Sequence, residues 1–247
     1  MTAPPPLPTG WLFRPAAERF HSRLDWLDSW HSFSFASHFD PAWQGFGPLR
    51  VINDDTIAAG QGFGPHAHRD MDILTVMVEG QLNHHDSMGH RSVLNAGEMQ
   101  RMSAGTGIVH SEINEGERPC RLLQVWIEPD RRGRPPGYAQ QAFSLDPGWT
   151  LLLDPAGASG ALTIHRPVRL WRGRVPAEHA LPAPGPPSQL GWIQMITGAV
   201  TLRGAAGETL ALAQGDGLGF AGSEDGLPIP SLVAGPSGAD LLWFALA

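Results

Sequence analysis

VMVEGQLNHHDSMGHRSVLNAGEMQRMSAG, residues 76–105, reads as strand, Gly, strand, turn, strand and a closing Gly-Glu. A second stretch, QMITGAVTLRGAAGETLALAQGDGLGFAG (194–222), runs the same course. Gly198 stands where Gly80 does, and Gly215-Asp216 where Gly97-Glu98 does. The likeness is one of spacing and not of identity. A repeat of this size predicts two related β-barrels.

Outward from these two stretches, short apolar segments recur between Gly, Pro, Asn and Asp. They include LRVIND (49–54), DILTVMVEG (72–80), GIVHSEIN (107–114) and CRLLQVWIEP (120–129). WTLLLDP (149–155), LTIHRPVRLWRG (162–173), GWIQMITGAVTLRG (191–204) and DLLWFALA (240–247) continue the series. Segments of this length and spacing predict an all-β sandwich or barrel. With 30 Gly and 23 Pro the chain is rich in turns, and few helices are expected. The longest helix candidate is PAAERFHSRLDWLDSW (15–30). DRRGRPPGYAQ (130–140) reads as the linker, which divides the chain into 1–130 and 131–247, and PAPGPPS (182–188) reads as a further loop. The Pro-rich residues before Trp11 are expected to be disordered.

Composition removes several function classes. The net charge is -7, Lys is absent, and the densest arginine group, Arg131, Arg132 and Arg134, sits in the Gly/Pro-rich linker. A nucleic-acid partner would need clustered cations, so none is expected. The single cysteine, Cys120, excludes an intrachain disulfide and opens an apolar run, which suits a small buried side chain better than a nucleophile. No signal-peptide pattern and no membrane-length apolar run are present, so no membrane partner is expected and the expected compartment is the cytoplasm.

The chemistry lies on either side of the 76–105 stretch. Before it, GFGPHAHRD places His66 and His68 at i and i+2, on one face of an extended segment. Continued parity would put Asp70, Asp72, Leu74, Val76 and Val78 on that face too. After it, AGTGIVHSEIN places His110 and Glu112 at the same spacing. Each pair alone is weak; two pairs, each entering a strand after a Gly-rich turn, suit one metal ion held by three imidazoles and a carboxylate. His165 and His179 stand alone in the second half and read as structural or exposed.

The segment GQGFGPHAHRDMDILTVMVEGQLNHHDSMGHRSVLNAGEMQRMSAGTGIVHSEIN resembles the metal-binding half of the pirin family of the cupin superfamily, in its bacterial quercetin 2,3-dioxygenase-like branch. DWLDSWHSFSFASHFDP (25–41) and GPLRVINDD (47–55) are also similar, and the second half more loosely so. The resemblance implies a bicupin: two jelly-roll barrels in tandem, metal in the first only. It carries the ligand positions onto His66, His68, His110 and Glu112. Asp72 stands where the general cupin pattern has a ligating Glu, so the carboxylate ligand is expected from Glu112 instead.

The implied cofactor is one divalent transition-metal ion, Fe(II) first, with Ni, Cu, Mn, Co or Zn accepted by the same ligands. The implied reaction is cleavage of a flavonol such as quercetin by O2 with release of carbon monoxide, Glu112 acting as the base. Phe63, Phe46 and the 71–78 strand are candidate walls, and Asp70, Asp72 and His84 candidate supports for the ligands. The competing reading is a metal-dependent redox sensor that acts through a protein partner.

Overall fold

The computed structural model describes residues 10–185, 190–205, 207–222, 229 and 231–246. The Pro-rich start and residues 186–188 of the 182–188 loop lie outside them. The chain is all-β. Its helical turns are three short 3-10 pieces, Ala16–Glu18, Pro41–Trp43 and Ala158–Gly160, among the described residues. No helix among them is long and apolar enough to cross a membrane.

Two compact units share the chain. One is Arg19–Ser144 with Leu162–Arg166; the other takes the described residues up to Glu18, Leu145–Ala161 and those from Pro167 onward. Relative to the expected boundary at 130/131, the first unit runs further. The reason is Gly137–Ala142, which begins inside the stretch read above as linker and forms a strand antiparallel to Glu98–Ser103. Tyr138 fastens it, its hydroxyl bonding Ser92 at 2.6 Å and Gln140 at 3.0 Å. At the other end Trp11–Arg14 pairs with Gly217–Ala221, which places it with the second unit.

The first unit has two antiparallel sheets. The larger runs Gly137–Ala142, Glu98–Ser103, Asp72–Glu79, Cys120–Ile127, Leu49–Ile57, Leu27–His31, Phe20–Arg23. The smaller runs Gly62–His68, Ile108–Ile113, Gln81–Asp86, Arg91–Asn95. The helix expected over 15–30 is replaced by the last two strands of the larger sheet. Leu27, Ser29 and His31 are buried and alternate with half-buried Asp28 and Trp30, a strand period that polar inward residues concealed. The larger sheet also carries a polar row in one register: Gln100, Thr75, Gln124, Asn53, His31. All five are buried.

The expected face assignment of 66–78 fails at Asp70, which has φ +49. That left-handed residue ends Gly62–His68 and starts Asp72–Glu79 in the other sheet, so parity does not carry through. Thr75, and not its even-numbered neighbours, faces Glu112.

In the second unit the main sheet runs Trp11–Arg14, Gly217–Ala221, Leu190–Arg203, Ser231–Leu246, Arg169–Val175, Gly148–Asp154. The sequence repeat is a structural one. Gly97 N–H donates to Met77 O at 3.3 Å, and Gly215 N–H to Met195 O at 3.2 Å. The Glu98 carboxylate accepts from Asn95 N–H at 2.6 Å, and that of Asp216 from Ala213 N–H at 2.8 Å. Gly97 and Gly215 have φ +86 and +85, a conformation in which glycine costs least. Where the first unit pairs Thr75 with Gln100 and Gln124, the second pairs Ile193 with Leu218 and Trp243, all buried in its apolar core.

Cys120 is buried, and burial pushes its thiol up to about 11, which removes it from nucleophilic chemistry.

Candidate metal centre

Gly62–His68 and Ile108–Ile113 lie side by side with His66 opposite His110. A register shift between His110 and Glu112 brings the strands together at Gly62, where a Cβ would meet Glu112 O at 2.2 Å. Only glycine fits that approach. The pairing collects three imidazoles: ring centroids are 4.4 Å apart for His66–His110, 4.8 Å for His66–His68 and 5.0 Å for His68–His110. Each offers one nitrogen, and these atoms lie within 4.8 Å of one another.

The chemistry of the three rings suits a cation. Burial, and after it the neighbouring His66, lowers His68 to about 4 and His110 to about 2. Both are therefore neutral at neutral pH, the form that ligates. His66 Nδ1–H donates to Gly64 O at 2.8 Å, which leaves Nε2 to face a ligand. Both ring nitrogens of His110 are buried without a hydrogen-bond partner. An orphan of this kind is costly in a core and is relieved by coordination. The donor set fits a divalent transition metal.

Glu112 enters from the same strand and is buried. Its Oε1 accepts from Gln100 Nε2 at 2.7 Å and Thr75 Oγ1 at 3.1 Å; its Oε2 accepts from Gln124 Nε2 at 2.8 Å. Trp126 Nε1 in turn donates to Gln124 Oε1 at 3.2 Å. Glu112 groups with His110 and His84 in a second triad of potential ligand atoms. Three of the four sequence-predicted residues thus form one triad, while Glu112 falls in a second with His110 and His84.

His84, one of the candidate supports, is fully buried. It stacks on Tyr138 at 4.6 Å and lies 5.3 Å from His110. Its Nε2 is 3.2 Å from Asp86 Oδ2, which also receives His90 Nδ1 at 2.8 Å. Burial opposes ionisation of Asp86, but the hydrogen bonds from His90 and His84 hold its carboxyl below the usual range. The other two candidate supports act elsewhere. Asp72 takes the Ser103 hydroxyl at 2.5 Å, and Asp70 takes Gly133 N–H at 2.7 Å. His165 and His179 are exposed.

A cavity of about 360 Å³ opens beside the histidines. Phe35, Phe63, Trp126, His66, His68 and Glu112 form part of its wall, and His68 meets Trp126 edge-on at 4.9 Å. Of the expected walls, Phe63 is present; Phe46 and the 71–78 strand are not among the lining residues. The lining also includes polar side chains: Ser22, Ser29, His31, Asn53 and Asp55. Sequence reading missed these, together with Thr75, Gln100 and Gln124. Their one signal was a polar residue inside each of several apolar strands.

Residues 13–127 match the Pirin family model, and residues 151–245 match the model described as quercetinase C-terminal cupin domain. A quercetin 2,3-dioxygenase of Escherichia coli K12 is 45% identical over 197 residues, 79% of this chain and 85% of that protein. Among solved structures, the bacterial pirin YhhW of Escherichia coli in complex with nickel(II) superposes with TM-score 0.85 at 39% identity, over 96% of this chain and 98% of that one. A quercetin 2,3-dioxygenase from Acinetobacter baumannii shares the fold, with TM-score 0.70 at 20% identity over 91% of this chain and 82% of that one. Two repeated barrels, a convergent histidine set in the first, and these matches together make the chain a bicupin that belongs to the pirin family.

Proposed function

We propose that the protein is a metal-dependent dioxygenase that cleaves flavonols such as quercetin with O2 and releases carbon monoxide. The observation that carries this reading is the convergence of His66, His68 and His110, the last two neutral through burial, beside the cavity that Glu112 and aromatic side chains line. The name of the Escherichia coli relative supports the substrate class.

In this reading His66, His68, His110 and Glu112 hold one divalent ion in the N-terminal cupin, 1–130 in the sequence division, and the cupin of 131–247 serves without metal. Iron(II) is the ion proposed first; nickel is supported by the complex of the pirin relative. The bound ion would supply Lewis acidity and open coordination positions. Glu112 accepts the proton of the flavonol 3-hydroxyl, its carboxylate oriented by Gln100, Thr75 and Gln124. Phe63, Phe35 and Trp126 keep water from the rings, and the cavity volume lies in the range of small-molecule sites.

The test is anaerobic reconstitution with Fe(II), Ni(II), Mn(II), Co(II) and Cu(II), followed by quercetin and air. Metal-dependent carbon monoxide release that vanishes in Glu112→Gln establishes the reaction. Stoichiometric metal without turnover by any ion removes it.

A further inference from the structure

The cavity lining holds two hydrogen-bonding atoms that the proposed reaction does not use. Asn53 Oδ1 accepts from His31 Nδ1 at 2.8 Å, and Asp55 Oδ1 accepts from the Ser29 hydroxyl. Each side chain thereby commits one terminal atom to the protein. The other atom, Asn53 Nδ2 or Asp55 Oδ2, has no hydrogen-bond partner among the described residues, and both side chains line the cavity. Each residue is only 2% exposed. An amide donor and a carboxyl oxygen are unfavourable in such a place unless something pairs with them.

Their placement fits one ligand chemistry. Asn53 and Asp55 stand at i and i+2 on Leu49–Ile57, so they face the same way, about 7 Å apart. Asn53 is the cross-strand partner of Gln124, whose amide holds Glu112. Asp55 lies on the diagonal from Gln124, at about 7–8 Å. A flavonol whose 3-hydroxyl meets Glu112 carries its outer ring along a reach of that order. Neighbouring hydroxyls on the ring would accept from Asn53 N–H and donate to Asp55 Oδ2. A hydroxyl both donates and accepts, so it pairs with Asp55 in either protonation state.

The second barrel shows that the fold does not require these two residues. In register, Trp171 opposite Trp243 stands where Asn53 opposite Gln124 does, and Gly173 opposite Leu241 where Asp55 opposite Leu122 does. Trp171 belongs to the apolar core of its barrel. The Trp149 ring covers Gly173 so closely that a Cβ would meet it at 2.5 Å. Where the second barrel packs indole, the first opens a cavity edged by an amide and a carboxyl.

We propose that Asn53 and Asp55 are the specificity-determining residues of this cavity and select flavonols with neighbouring hydroxyls on the outer ring. This rests on the flavonol reading above. Quercetin carries such a pair, kaempferol a single outer-ring hydroxyl and galangin none.

Binding decides the proposal without turnover. In nickel(II)-loaded protein kept free of O2, quercetin should bind roughly 10–100-fold tighter than galangin, with kaempferol between them. Asp55→Asn keeps an oxygen for Ser29 and makes the cavity-facing atom a donor. Asn53→Asp keeps an oxygen for His31 and makes the cavity-facing atom an acceptor. Each isosteric change should bring the quercetin-to-galangin ratio down to about 1–3, by weakening quercetin and not galangin. A purely structural role would weaken both ligands alike and leave the ratio where it was. Equal binding of quercetin and galangin by the wild type, or a ratio unchanged in both variants, overturns this inference alone. The wild-type series of three ligands decides even where a variant fails to fold. Failure of every flavonol to bind overturns the flavonol reading and this inference together.

Discussion

At the scale of single residues, the imidazoles and their supports make separable predictions. His66→Ala and His110→Ala should each lose stoichiometric metal by elemental analysis, because each supplies one of the three converging imidazole nitrogens. Gln124→Leu removes the donor to Glu112 Oε2 and the acceptor of Trp126, and should cost about 10–100-fold in metal affinity or activity. His68 and His110 are depressed in the fold, so the unfolded chain binds more protons below the ordinary histidine range. Their contribution to stability is present above about pH 6.5 and lost as pH falls toward their lowered values. The melting temperature of metal-free protein should drop across that window, and bound metal should move the drop to lower pH. The four proposed ligand positions stood out because His-x-His and His-x-Glu keep strand spacing. Asp55, His31 and Gln124 were not, since a polar residue in a strand declares nothing until its cross-strand neighbours are known.

At the scale of elements, the antiparallel meeting of Gly62–His68 with Ile108–Ile113 depends on one missing Cβ. Gly62→Ala would press a methyl group against Glu112 O, at 2.2 Å from an ideal Cβ, and should destabilise by about 1–3 kcal/mol. Its denaturation midpoint should fall, and its metal affinity with it, because the clash moves the strand that carries Glu112. Strand segments such as Cys120–Ile127 and Asp72–Glu79 were readable from apolar runs. Phe20–Arg23 and Leu27–His31 were not. Their inward positions hold Ser and His that work in the cavity wall, so function overwrote the alternation that marks a strand. Gly137–Ala142 was hidden differently: Gly and Pro before it announce a loop, and only its pairing to Glu98–Ser103 makes it a strand.

At the scale of the whole molecule, two barrels repeat one hairpin, and the proposed ligand positions all lie in the first. Metal should therefore raise one of two calorimetric transitions, by about 4 kcal/mol at a thousandfold excess over Kd, and leave the other in place. A uniform shift of both transitions would contradict that division. The all-β class and the repeat were legible in the sequence, because glycine spacing survives where identity does not. The interleaving of the units was not, since Trp11–Arg14 finds its partner strand some two hundred residues away along the chain. The polar row across the first barrel has a further meaning when set beside Ile193, Leu218 and Trp243. It is a trade-off between cohesion and reactivity: where the first barrel buries a row of five polar side chains, the second holds Ile193, Leu218 and Trp243 in its apolar core. The second barrel's apolar row sits in the same chain as a ready blueprint. Copying it only in part, as Thr75→Ile with Gln100→Leu, strips both donors from the buried Glu112 Oε1 and should yield a protein that melts lower than the parent and has lost activity.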